Sequence, residues 1–298
     1  MTEISVGPGS RTNTPDQAGK AAVFQALHAR PGAFVIPNPW DAGMARILAA
    51  LGFEALATTS AGLAFALGQR DGTVGRDATL ANAAAIVVET DLPVSADLEN
   101  GFGDAPGEVA ETIRLAAAAG LVGGSIEDAT GNAAQPIYGF DHAAERIAAA
   151  VEAARTLRFR FMLTARAENF LHGRPDLDDT IRRLQAFERA GADVLYAPGL
   201  PSMDAVRAVC AAVSRPVNVL AGGSGAATSV AALAEAGVKR ISLGSSLSRA
   251  ALGGLVRAAR EIKESGTFGF AADALPFAEV NAAMRDHQSI VLRAKASM

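Results

Sequence analysis

The chain has 298 residues, of which 50% are hydrophobic and 19% are charged, a composition typical of soluble globular proteins. The net charge of −4 argues against a nucleic-acid partner. No run approaches the ~18 apolar residues of a membrane span, and residues 1–20 lack the apolar core of a signal peptide. Cys210 is the only cysteine, which excludes an intrachain disulfide and favours a cytoplasmic location.

The chain divides into a polar amino-terminal segment and one long domain. Residues 1–14 are rich in Gly, Ser, Thr and Pro and are predicted to be disordered. Residues 15–298 form the domain, which begins with a predicted helix from Pro15 to Arg30. Short strands are predicted over residues 33–37, 55–60, 93–100, 123–128, 161–168, 192–198, 216–221 and 240–245. Further helices are predicted over residues 41–51, 79–90, 106–119, 141–157, 176–190, 202–213, 228–236, 248–264 and 276–287.

Eight predicted strands, each followed by a helix, indicate the fold class. Strands that alternate with helices pair in parallel through right-handed crossovers, and eight such units close into a (β/α)₈ barrel of the TIM type. A doubly wound open sheet is the alternative, but its strands are buried on both faces and are not expected to end in several acidic residues. The last predicted helix is additional to the barrel repeat.

The segment from Ser95 to Gly103 ends the third strand with two acids and a glycine-rich turn. Asp97 and Glu99 are two residues apart, and residues i and i+2 of a strand point to the same side of a sheet. Buried carboxylates are costly unless they are paired or bind a cation. The pattern therefore predicts a metal site, and the alternative is a polar strand end followed by a turn.

Polar residues also follow the second, fourth and fifth strands, and active sites of barrels lie at these carboxyl ends. The hydroxyl and backbone N–H groups of Thr58–Ser60 can bind a carboxylate or a phosphate, or they can cap a helix. Asp71 in the second loop is by itself typical of a solvated ion pair with Arg70. Glu127 ends the fourth strand and Arg166 lies on the fifth.

Together these positions predict a ring of acids with one arginine at the mouth of the barrel. Oxygen ligands without a cluster of His or Cys favour Mg²⁺, with Mn²⁺ as an alternative. The forked guanidinium of Arg166 suits a substrate carboxylate. A metal that chelates a keto oxygen and a carboxylate oxygen stabilises an enolate, which predicts an enzyme for a 2-oxo acid. The acids are Asp71, Asp97, Glu99 and Glu127.

Glycine-rich turns after the seventh and eighth strands offer a competing interpretation. Ala221–Gly225 and Gly244–Ser246 lie where barrels often bind phosphate. A sugar-phosphate enzyme would use these turns, but such an activity would not explain the acids on the third and fourth strands.

Five motifs, in order along the chain, resemble those of the isocitrate lyase/phosphoenolpyruvate mutase superfamily. The resemblance extends from about Pro37 to about Val280. Among the motifs, Ala96–Gly103 is similar to the metal-binding Asp-x-Asp-x-Gly-Tyr-Gly sequence, and Thr164–Glu168 is similar to the strand that carries the substrate arginine. The full set is Asn38–Gly43, Thr59–Leu63 with Leu67–Asp71, Ala96–Gly103, Ser125–Asp128 and Thr164–Glu168.

The resemblance implies a role for each matching residue and a reaction that passes through an enolpyruvate state. The implied metal-binding residues are Asp97, as the direct ligand, and Asp71, Glu99 and Glu127, through metal-bound waters. The implied substrate-binding residues are Thr59, Ser60, Ala61, Asp97 and Arg166, and the implied catalytic residues are Arg166 and Glu127.

The loop after Asp128 departs from the best-known members of the superfamily. Isocitrate and methylisocitrate lyases carry a Lys-Lys/Arg-Cys-Gly-His signature, and the mutases carry a lysine shortly after the Glu-Asp pair, but residues 129–138 contain neither. The Gly, Asn and Pro content of this loop is compatible with a lid. We expect a Mg²⁺-dependent lyase similar to oxaloacetate decarboxylase. The alternatives are a C–P enzyme of the phosphonopyruvate hydrolase or phosphoenolpyruvate mutase type, and a barrel that binds a metabolite without turnover.

The resemblance also implies an assembly. Barrels of this superfamily often exchange their eighth helix between subunits, so the segment from Ser248 onward is expected to do so in a homodimer or homotetramer. The other expected partner is a small 2-oxo acid, with no nucleic acid and no membrane.

Overall fold

The computed structural model describes residues 16–222 and 229–284. The predicted disordered segment 1–14, most of the turn that contains Ser224, and the end of the last predicted helix at His287 lie outside the described residues. The strands are β1 Phe34–Ile36, β2 Leu56–Ala57, β3 Val94–Asp97, β4 Gly123–Glu127, β5 Met162–Arg166, β6 Val194–Tyr196, β7 Val217–Leu220 and β8 Arg240–Ser242. The helices are α1 Gln17–Ala29, α2 Ala42–Ala50, α3 Ser60–Ala66, α4 Arg76–Val88, α5 Pro106–Ala118, α6 Phe140–Arg155, α7 Leu177–Ala190, α8 Met203–Ala212, α9 Val230–Glu235, α10 Ser246–Ser265 and α11 Phe277–Ala283, with short 3₁₀ turns at Asn169–His172 and Gly269–Ala272.

The eight strands form one parallel sheet in the order β1-β8-β7-β6-β5-β4-β3-β2. The Ala57 N–H of β2 donates a 3.0 Å hydrogen bond to the Pro37 carbonyl just after β1, which brings the two ends of the sheet together. A helix follows every strand, as right-handed crossovers between parallel strands require. The predicted (β/α)₈ barrel is confirmed, and the doubly wound alternative is wrong because its sheet stays open.

Local signals in the sequence set the helix boundaries. Asp41 caps α2 by accepting a 2.8 Å hydrogen bond from the Met44 N–H. Gly191 ends α7 with a φ of 105°, a left-handed conformation that glycine adopts without the steric cost of a Cβ atom. Ser202 and Ser229 cap α8 and α9. These signals explain why most predicted helices begin and end within a few residues of the observed positions.

One helix escapes the prediction from sequence. α3 begins at Ser60, where the sequence predicts that the second strand still continues. Thr59 caps this helix by accepting a 3.2 Å hydrogen bond from the Gly62 N–H. The chain therefore leaves the sheet immediately after the short strand β2, and α3 lies directly at the mouth of the barrel.

Apolar packing closes the amino-terminal end of the barrel. Phe24 and Leu27 of α1 belong to a buried cluster with Phe34 of β1 and Met162 of β5. A second and larger buried cluster joins the strands to the helices around them. Because α1 covers one end of the barrel, the polar side chains at the other end form the candidate site.

The carboxyl-terminal helices leave large apolar side chains in contact with solvent. The only buried residue of α10 is Ser248, whereas Leu255 is 64% exposed and Phe277, at the start of α11, is 83% exposed. The exchange of this region between subunits stays a prediction. None of the described helices has the length and apolar character needed to cross a membrane.

Candidate active site

Arg166, the last residue of β5, lies at the centre of a buried charged cluster at the carboxyl ends of the strands. Its Nη1 lies 2.9 Å from Asp97 Oδ1, its Nη2 lies 3.1 Å from Glu127 Oε2, and its Nε lies 2.8 Å from Glu168 Oε1. The guanidinium Cζ lies 5.1 Å from the centre of the Tyr196 ring. One cation therefore contacts three carboxylates and an aromatic face.

The register of the sheet explains why these side chains meet. Asp97 of β3 is paired with Ser125 of β4, and Glu127 of β4 is paired with Arg166 of β5. The Asp97 N–H also donates a 3.0 Å hydrogen bond to the Thr58 hydroxyl at the end of β2. Parallel pairing thus places residues that are far apart in the sequence at the same level of the barrel.

Glu99 does not lie on the third strand, as the two-residue spacing predicts. β3 ends at Asp97, and Glu99 has a φ of 48°, which residues other than glycine rarely adopt. The chain already turns out of the sheet here, and the Glu99 N–H donates a 3.4 Å hydrogen bond to Asp97 Oδ1. The two acids are therefore neighbours through a turn and not through the pleat of a strand. Strained backbone of this kind is often found at functional sites.

The Glu99 carboxylate lies among other acids. Burial, followed by repulsion from Asp97 and Asp71, raises the pKa of Glu99 to about 7, against the smaller opposing effect of Arg166. Its Oε1 atom is buried and has no hydrogen-bond partner among the described residues. Burial also raises the pKa of Glu127 well above its usual range, although Arg166 opposes this rise. A further positive charge nearby would therefore favour the ionised form of both carboxylates.

The residues present fit a divalent cation. Three carboxylates contact Arg166, and Glu99 and Asp71 add two more close to them, so that negative charge is in excess. Within the described parts of the chain, no three His, Cys, Asp or Glu side chains form a metal-binding group. A cation with one direct carboxylate ligand and several waters needs no such group, and Mg²⁺ commonly retains several waters. The unpartnered Glu99 oxygen is placed to accept a hydrogen bond from such a water.

A cavity of about 230 Å³ opens beside the charged cluster. This volume corresponds to roughly eight water molecules at ~30 Å³ each, which suits a substrate of a few carbon atoms. Residues from β2 and α3 and residues from β6 to β8 are among those that line the cavity. The lining includes Thr59, Ser60, Ala61, Asp71, Asp97, Ser125, Arg166, Tyr196 and Ser242.

The segment Thr59–Ala61 borders the cavity, but two of its polar groups already have partners. The Thr59 hydroxyl caps α3, which is the alternative considered for this segment. The Ser60 N–H donates a 3.3 Å hydrogen bond to Asp97 Oδ2, so it links α3 to the charged cluster. Asp71 is exposed at the edge of the cavity and accepts a 3.1 Å hydrogen bond from the Gly72 N–H. The role of Thr59, Ser60 and Ala61 in binding a carboxylate stays a prediction.

Several residues of the cavity and the charged cluster were not among the predicted site residues, and three of them are Glu168, Tyr196 and Ser242. Glu168 lies two residues after Arg166 on the predicted fifth strand, so both side chains are expected on the same side of the sheet. This spacing could have identified Glu168. Tyr196 and Ser242 lie at the ends of β6 and β8, but in the sequence they resemble ordinary strand residues. Their position becomes evident only when the barrel closes.

The loop at residues 129–138 is anchored at both ends. Ala129 and Ile137 form an antiparallel bridge, and the Tyr138 N–H donates a 2.8 Å hydrogen bond to the Asp128 carbonyl. The Arg146 guanidinium lies 4.1 Å from the centre of the Tyr138 ring. The closure of this loop as a lid stays a prediction.

Known proteins share the sequence and the fold of this chain. A sequence model described as phosphoenolpyruvate phosphomutase matches residues 24–263. The crystal structure of a Burkholderia cenocepacia J2315 protein, described only as a lyase/mutase, has 61% sequence identity and a TM-score of 0.90, and the match covers 92% of this chain and 99% of that chain. An uncharacterized protein of Mycobacterium tuberculosis is 30% identical over 273 residues, which cover 89% of this chain and 97% of the relative.

Relatives with a named activity are less similar in sequence to this chain than the Burkholderia cenocepacia protein. An oxaloacetate decarboxylase of Paraburkholderia xenovorans is 32% identical over 161 residues, which cover 52% of each chain. Other relatives are named 2,3-dimethylmalate lyase and oxaloacetate acetylhydrolase. The chain belongs to the phosphoenolpyruvate phosphomutase family, within the isocitrate lyase/phosphoenolpyruvate mutase superfamily of lyases and mutases.

Proposed function

We propose that this protein is a Mg²⁺-dependent lyase that cleaves a carbon–carbon bond of a small 2-oxo dicarboxylic acid, and that oxaloacetate decarboxylation is the reaction that suits it best. The observation that carries the proposal is the placement of Arg166 beside several acids at the mouth of a small cavity. Relatives named as oxaloacetate decarboxylase and dimethylmalate lyase support the same class of reaction.

Asp97 is the residue best placed to bind the cation directly, and Glu99, Glu127 and Asp71 are placed to hold its waters. When bound, the cation supplies positive charge that stabilises a developing enolate. The like-charge repulsion that raises the pKa of Glu99 would be relieved by that charge. Arg166 alone does not balance the charge of these acids, and a bound cation would supply the remaining positive charge.

Arg166 keeps N–H groups available for a substrate. A guanidinium has five N–H donors, and the three carboxylates use one contact at each nitrogen. The second N–H on each Nη atom can bind a substrate carboxylate and hold its C–C bond in a fixed orientation. Glu127 at the end of β4 and Glu168 just after β5 in turn hold the guanidinium in place, because each carboxylate contacts one of its nitrogens.

The loop at residues 129–138 favours decarboxylation over the related reactions. A retro-aldol lyase or a mutase needs a group that acts on the departing fragment, whereas decarboxylation releases CO₂ without a proton donor at the leaving group. Because this loop contains neither cysteine nor lysine, decarboxylation, which needs no such group at the leaving fragment, fits better than the other two reactions. Phosphonopyruvate serves as the second substrate in the test, since a C–P activity is the competing prediction.

The first test is pyruvate formation from oxaloacetate by protein stripped of metal, with and without added Mg²⁺. Because oxaloacetate also decays in solutions that contain metal, the rate in Mg²⁺ buffer without protein is subtracted. We expect Asp97→Asn to lower the Mg²⁺-dependent rate by about 10²-fold, the usual cost of removing one preorganised electrostatic group. Asp204→Asn is the matched control, because the Asp204 side chain is 92% exposed on α8.

Several outcomes would count against the proposal. A rate that does not respond to Mg²⁺, or an Asp97→Asn variant as active as Asp204→Asn, would contradict the assigned metal site. Turnover of phosphonopyruvate in place of oxaloacetate would establish the C–P alternative. Tight binding of oxalate without turnover of either substrate would establish a barrel that only binds a metabolite.

The exposed apolar face of α10 and α11 supports a homo-oligomer in which this region packs on a second copy of the chain. Leu255 and Val256 of α10 are 64% and 45% exposed, a surface that an isolated chain would leave in water. We expect analytical ultracentrifugation to detect a dimer or tetramer and Leu255→Asp to shift the protein toward monomers. A monomeric wild-type protein at micromolar concentration would contradict this assembly.

A further inference from the structure

Four consecutive strands contribute paired polar residues to the barrel. Arg166 is paired with Tyr196, Tyr196 with Asn218, and Asn218 with Arg240. Asn218, Tyr196 and Arg240 are all buried, with exposed fractions of 1%, 7% and 5%. A polar row thus runs from the charged cluster across the barrel to β8.

Arg240 is a buried cation without a counterion. Its Nε donates a 2.8 Å hydrogen bond to Asn218 Oδ1, and its Nη2 donates a 2.8 Å hydrogen bond to the Thr164 hydroxyl. Its Nη1 has no hydrogen-bond partner, and no carboxylate among the described residues pairs with it. Burial lowers the pKa of Arg240 to about 10, partly offset by attraction to Tyr196. A buried charge without a counterion is destabilising, so Arg240 contributes little to stability.

The donor-only chemistry of Arg240 sets the direction of the hydrogen bonds above it. A guanidinium cannot accept, so the Asn218 side chain must present its oxygen to Arg240 and its NH₂ group to Ser242. The Asn218 Nδ2 accordingly donates a 2.9 Å hydrogen bond to Ser242 Oγ. Tyr196 lines the same cavity as Ser242, and the Ser242 hydroxyl hydrogen is free to point to the Tyr196 phenol. A phenol oxygen that accepts from Ser242 leaves the Tyr196 O–H free to donate into the cavity.

No cysteine, lysine or histidine is among the described residues that line the cavity. The loop at residues 129–138 contains no cysteine or lysine. None of the three described histidines lines the cavity: His28 packs between Phe24 and Phe34 at the opposite end of the barrel, His142 packs against Tyr138, and His172 ends the 3₁₀ turn at Asn169–His172. Among the hydroxyl groups that line the cavity, a phenol is far more acidic than the alcohols of Ser and Thr.

We propose that Tyr196 is the proton donor of the reaction, and that Arg240, Asn218 and Ser242 are positioning residues that direct its O–H into the cavity. This inference rests on the proposed function, because it concerns the enolpyruvate that forms after CO₂ leaves. The Tyr196 O–H bond breaks as a C–H bond forms at C3 of the enolpyruvate. The electron pair of the C2–C3 double bond makes the new bond, the C2 carbonyl forms again, and the phenolate then takes a proton from water.

The direct test is exchange of the pyruvate methyl hydrogens in D₂O, which reverses this proton transfer and is followed by ¹H NMR with Mg²⁺ present. We expect wild-type protein to accelerate exchange over Mg²⁺ buffer and Tyr196→Phe to lose at least about 10²-fold of that acceleration, as for removal of a general acid. Tyr138→Phe is the matched control, since Tyr138 is the other of the two tyrosines in the chain. Its hydroxyl donates a hydrogen bond to Asp104 outside the cavity. Loss of oxaloacetate should continue in Tyr196→Phe, because carbon–carbon cleavage precedes the proton transfer.

The positioning residues are tested by a rescue. Ser242→Ala removes the hydroxyl between Asn218 and Tyr196 and should slow exchange by about 10-fold, the cost of one hydrogen bond of about 1.4 kcal/mol. Ser242→Thr keeps the hydroxyl and should restore exchange. A structural role for Ser242 would not distinguish these variants by hydroxyl content, so equal rates for Ala and Thr would overturn the positioning role.

A binding measurement gives a readout that does not depend on turnover. Protein labelled with 3-fluorotyrosine should show two ¹⁹F signals, one of which Tyr196→Phe removes. Addition of oxalate, a planar mimic of the enolate, with Mg²⁺ should shift that signal and leave the Tyr138 signal in place. An unshifted Tyr196 signal with oxalate bound would overturn the inference.

The outcomes separate this inference from the proposed function. If wild-type protein exchanges pyruvate through Tyr196 but does not consume oxaloacetate, the proton donor stands and the proposed reaction fails. If wild-type protein consumes oxaloacetate while Tyr196→Phe exchanges pyruvate as fast as wild type, the reaction stands and the proton donor is wrong. If wild-type protein consumes oxaloacetate without accelerating exchange, the proton donor is likewise wrong.

Discussion

Arg166 and Arg183 occupy two neighbouring charged clusters with different properties. Arg166 faces the cavity with an excess of carboxylates around it. Arg183 of α7 lies 2.9 Å from Asp128 Oδ2 and 2.8 Å from Asp179 Oδ2, and it also donates a 3.0 Å hydrogen bond to the Tyr138 carbonyl. The second cluster borders no cavity of the site and joins α7 to the strand ends.

The two clusters meet at adjacent residues of the chain. Glu127 and Asp128 follow each other at the end of β4, and successive residues of a strand point to opposite sides. Glu127 therefore faces Arg166, while Asp128 faces Arg183 and accepts a 2.8 Å hydrogen bond from the Glu168 N–H. An unpartnered carboxylate oxygen occurs at Glu99 beside the first cluster, whereas the carboxylate oxygens of Asp128 have partners. In the proposed function the first cluster serves a ligand, whereas the contacts of the second cluster serve the fold.

The largest expected effect is on activity, from a change at Arg166. Arg166→Gln should lower the Mg²⁺-dependent rate of oxaloacetate loss by about 10²-fold or more, because it removes a preorganised charge and its forked donors. The folded state should survive, since Glu127 and Glu168 have raised pKa values caused mainly by burial and can take up protons. Initial rates and circular dichroism check this expectation. Arg207→Gln, on the surface of α8, is the control, and a variant that retains more than about a tenth of the activity would break the comparison.

The next effect is on stability, from a change at Arg183. Arg183→Gln leaves Asp128 buried without its cation, and breaking a buried pair costs about 3–5 kcal/mol. Chemical denaturation of the metal-free protein measures this loss. Arg182→Gln is a closely matched control, because the adjacent Arg182 also contacts Asp179 but its side chain is 61% exposed. Equal stabilities for the two variants would show that the second cluster does not support the fold.

The smallest effect concerns the pH dependence of stability at Glu99. The pKa of Glu99 is about 7 in the folded protein, compared with the ordinary value of 4.5 for a glutamate side chain. At pH values between these two numbers, the folded state therefore binds more protons than the unfolded state. The contribution of Glu99 to stability therefore falls as pH rises from about 4.5 to 7. Glu99→Gln should make stability less sensitive to pH across that window, as measured by urea denaturation at several pH values.

Two controls sharpen this last prediction. Glu145→Gln, at a 69% exposed position of α6, should leave the pH dependence as in wild type. Saturating Mg²⁺ should reduce the difference between wild type and Glu99→Gln at pH 7, because a bound cation favours the ionised carboxylate. A Glu99→Gln variant with the same pH profile as wild type would mean that the carboxylate is not buried beside other acids.

Much of the barrel is predictable because its signals are local. Asp41 caps α2 and Gly191 ends α7, and the interactions involved span only a few residues. Asp97 and Arg166 could also be assigned to strand ends, since apolar runs identify those strands. The sequence does not predict α3, because Thr58–Ser60 is equally typical of the end of a strand and of the start of a helix. Only the short pairing of β2 with β3, which stops at Ala57, shows that the strand has already ended.

Side-chain partners across the barrel were less predictable. The spacing of Asp97 and Glu99 suggests one face of a strand, yet the turn begins between them because the chain must leave the sheet toward α5. Glu168 contacts Arg166 from only two residues away, but Tyr196 and Ser242 join the site through neighbours that are distant in sequence. Their local sequence carries little information about those contacts.

The sequence by itself determined the eight-fold alternation of strands and helices and the placement of several acids and one arginine at the strand ends, because these depend on periodicity, caps and motifs within short segments. Only the tertiary structure decided that Glu127 contacts Arg166 while Asp128 contacts Arg183 of α7, that Glu99 lies in a turn, and that hydrogen bonds run from Arg240 through Asn218 to Ser242. The physical reason is that burial and hydrogen-bond direction depend on which strands are neighbours, and closure of the barrel determines those neighbours.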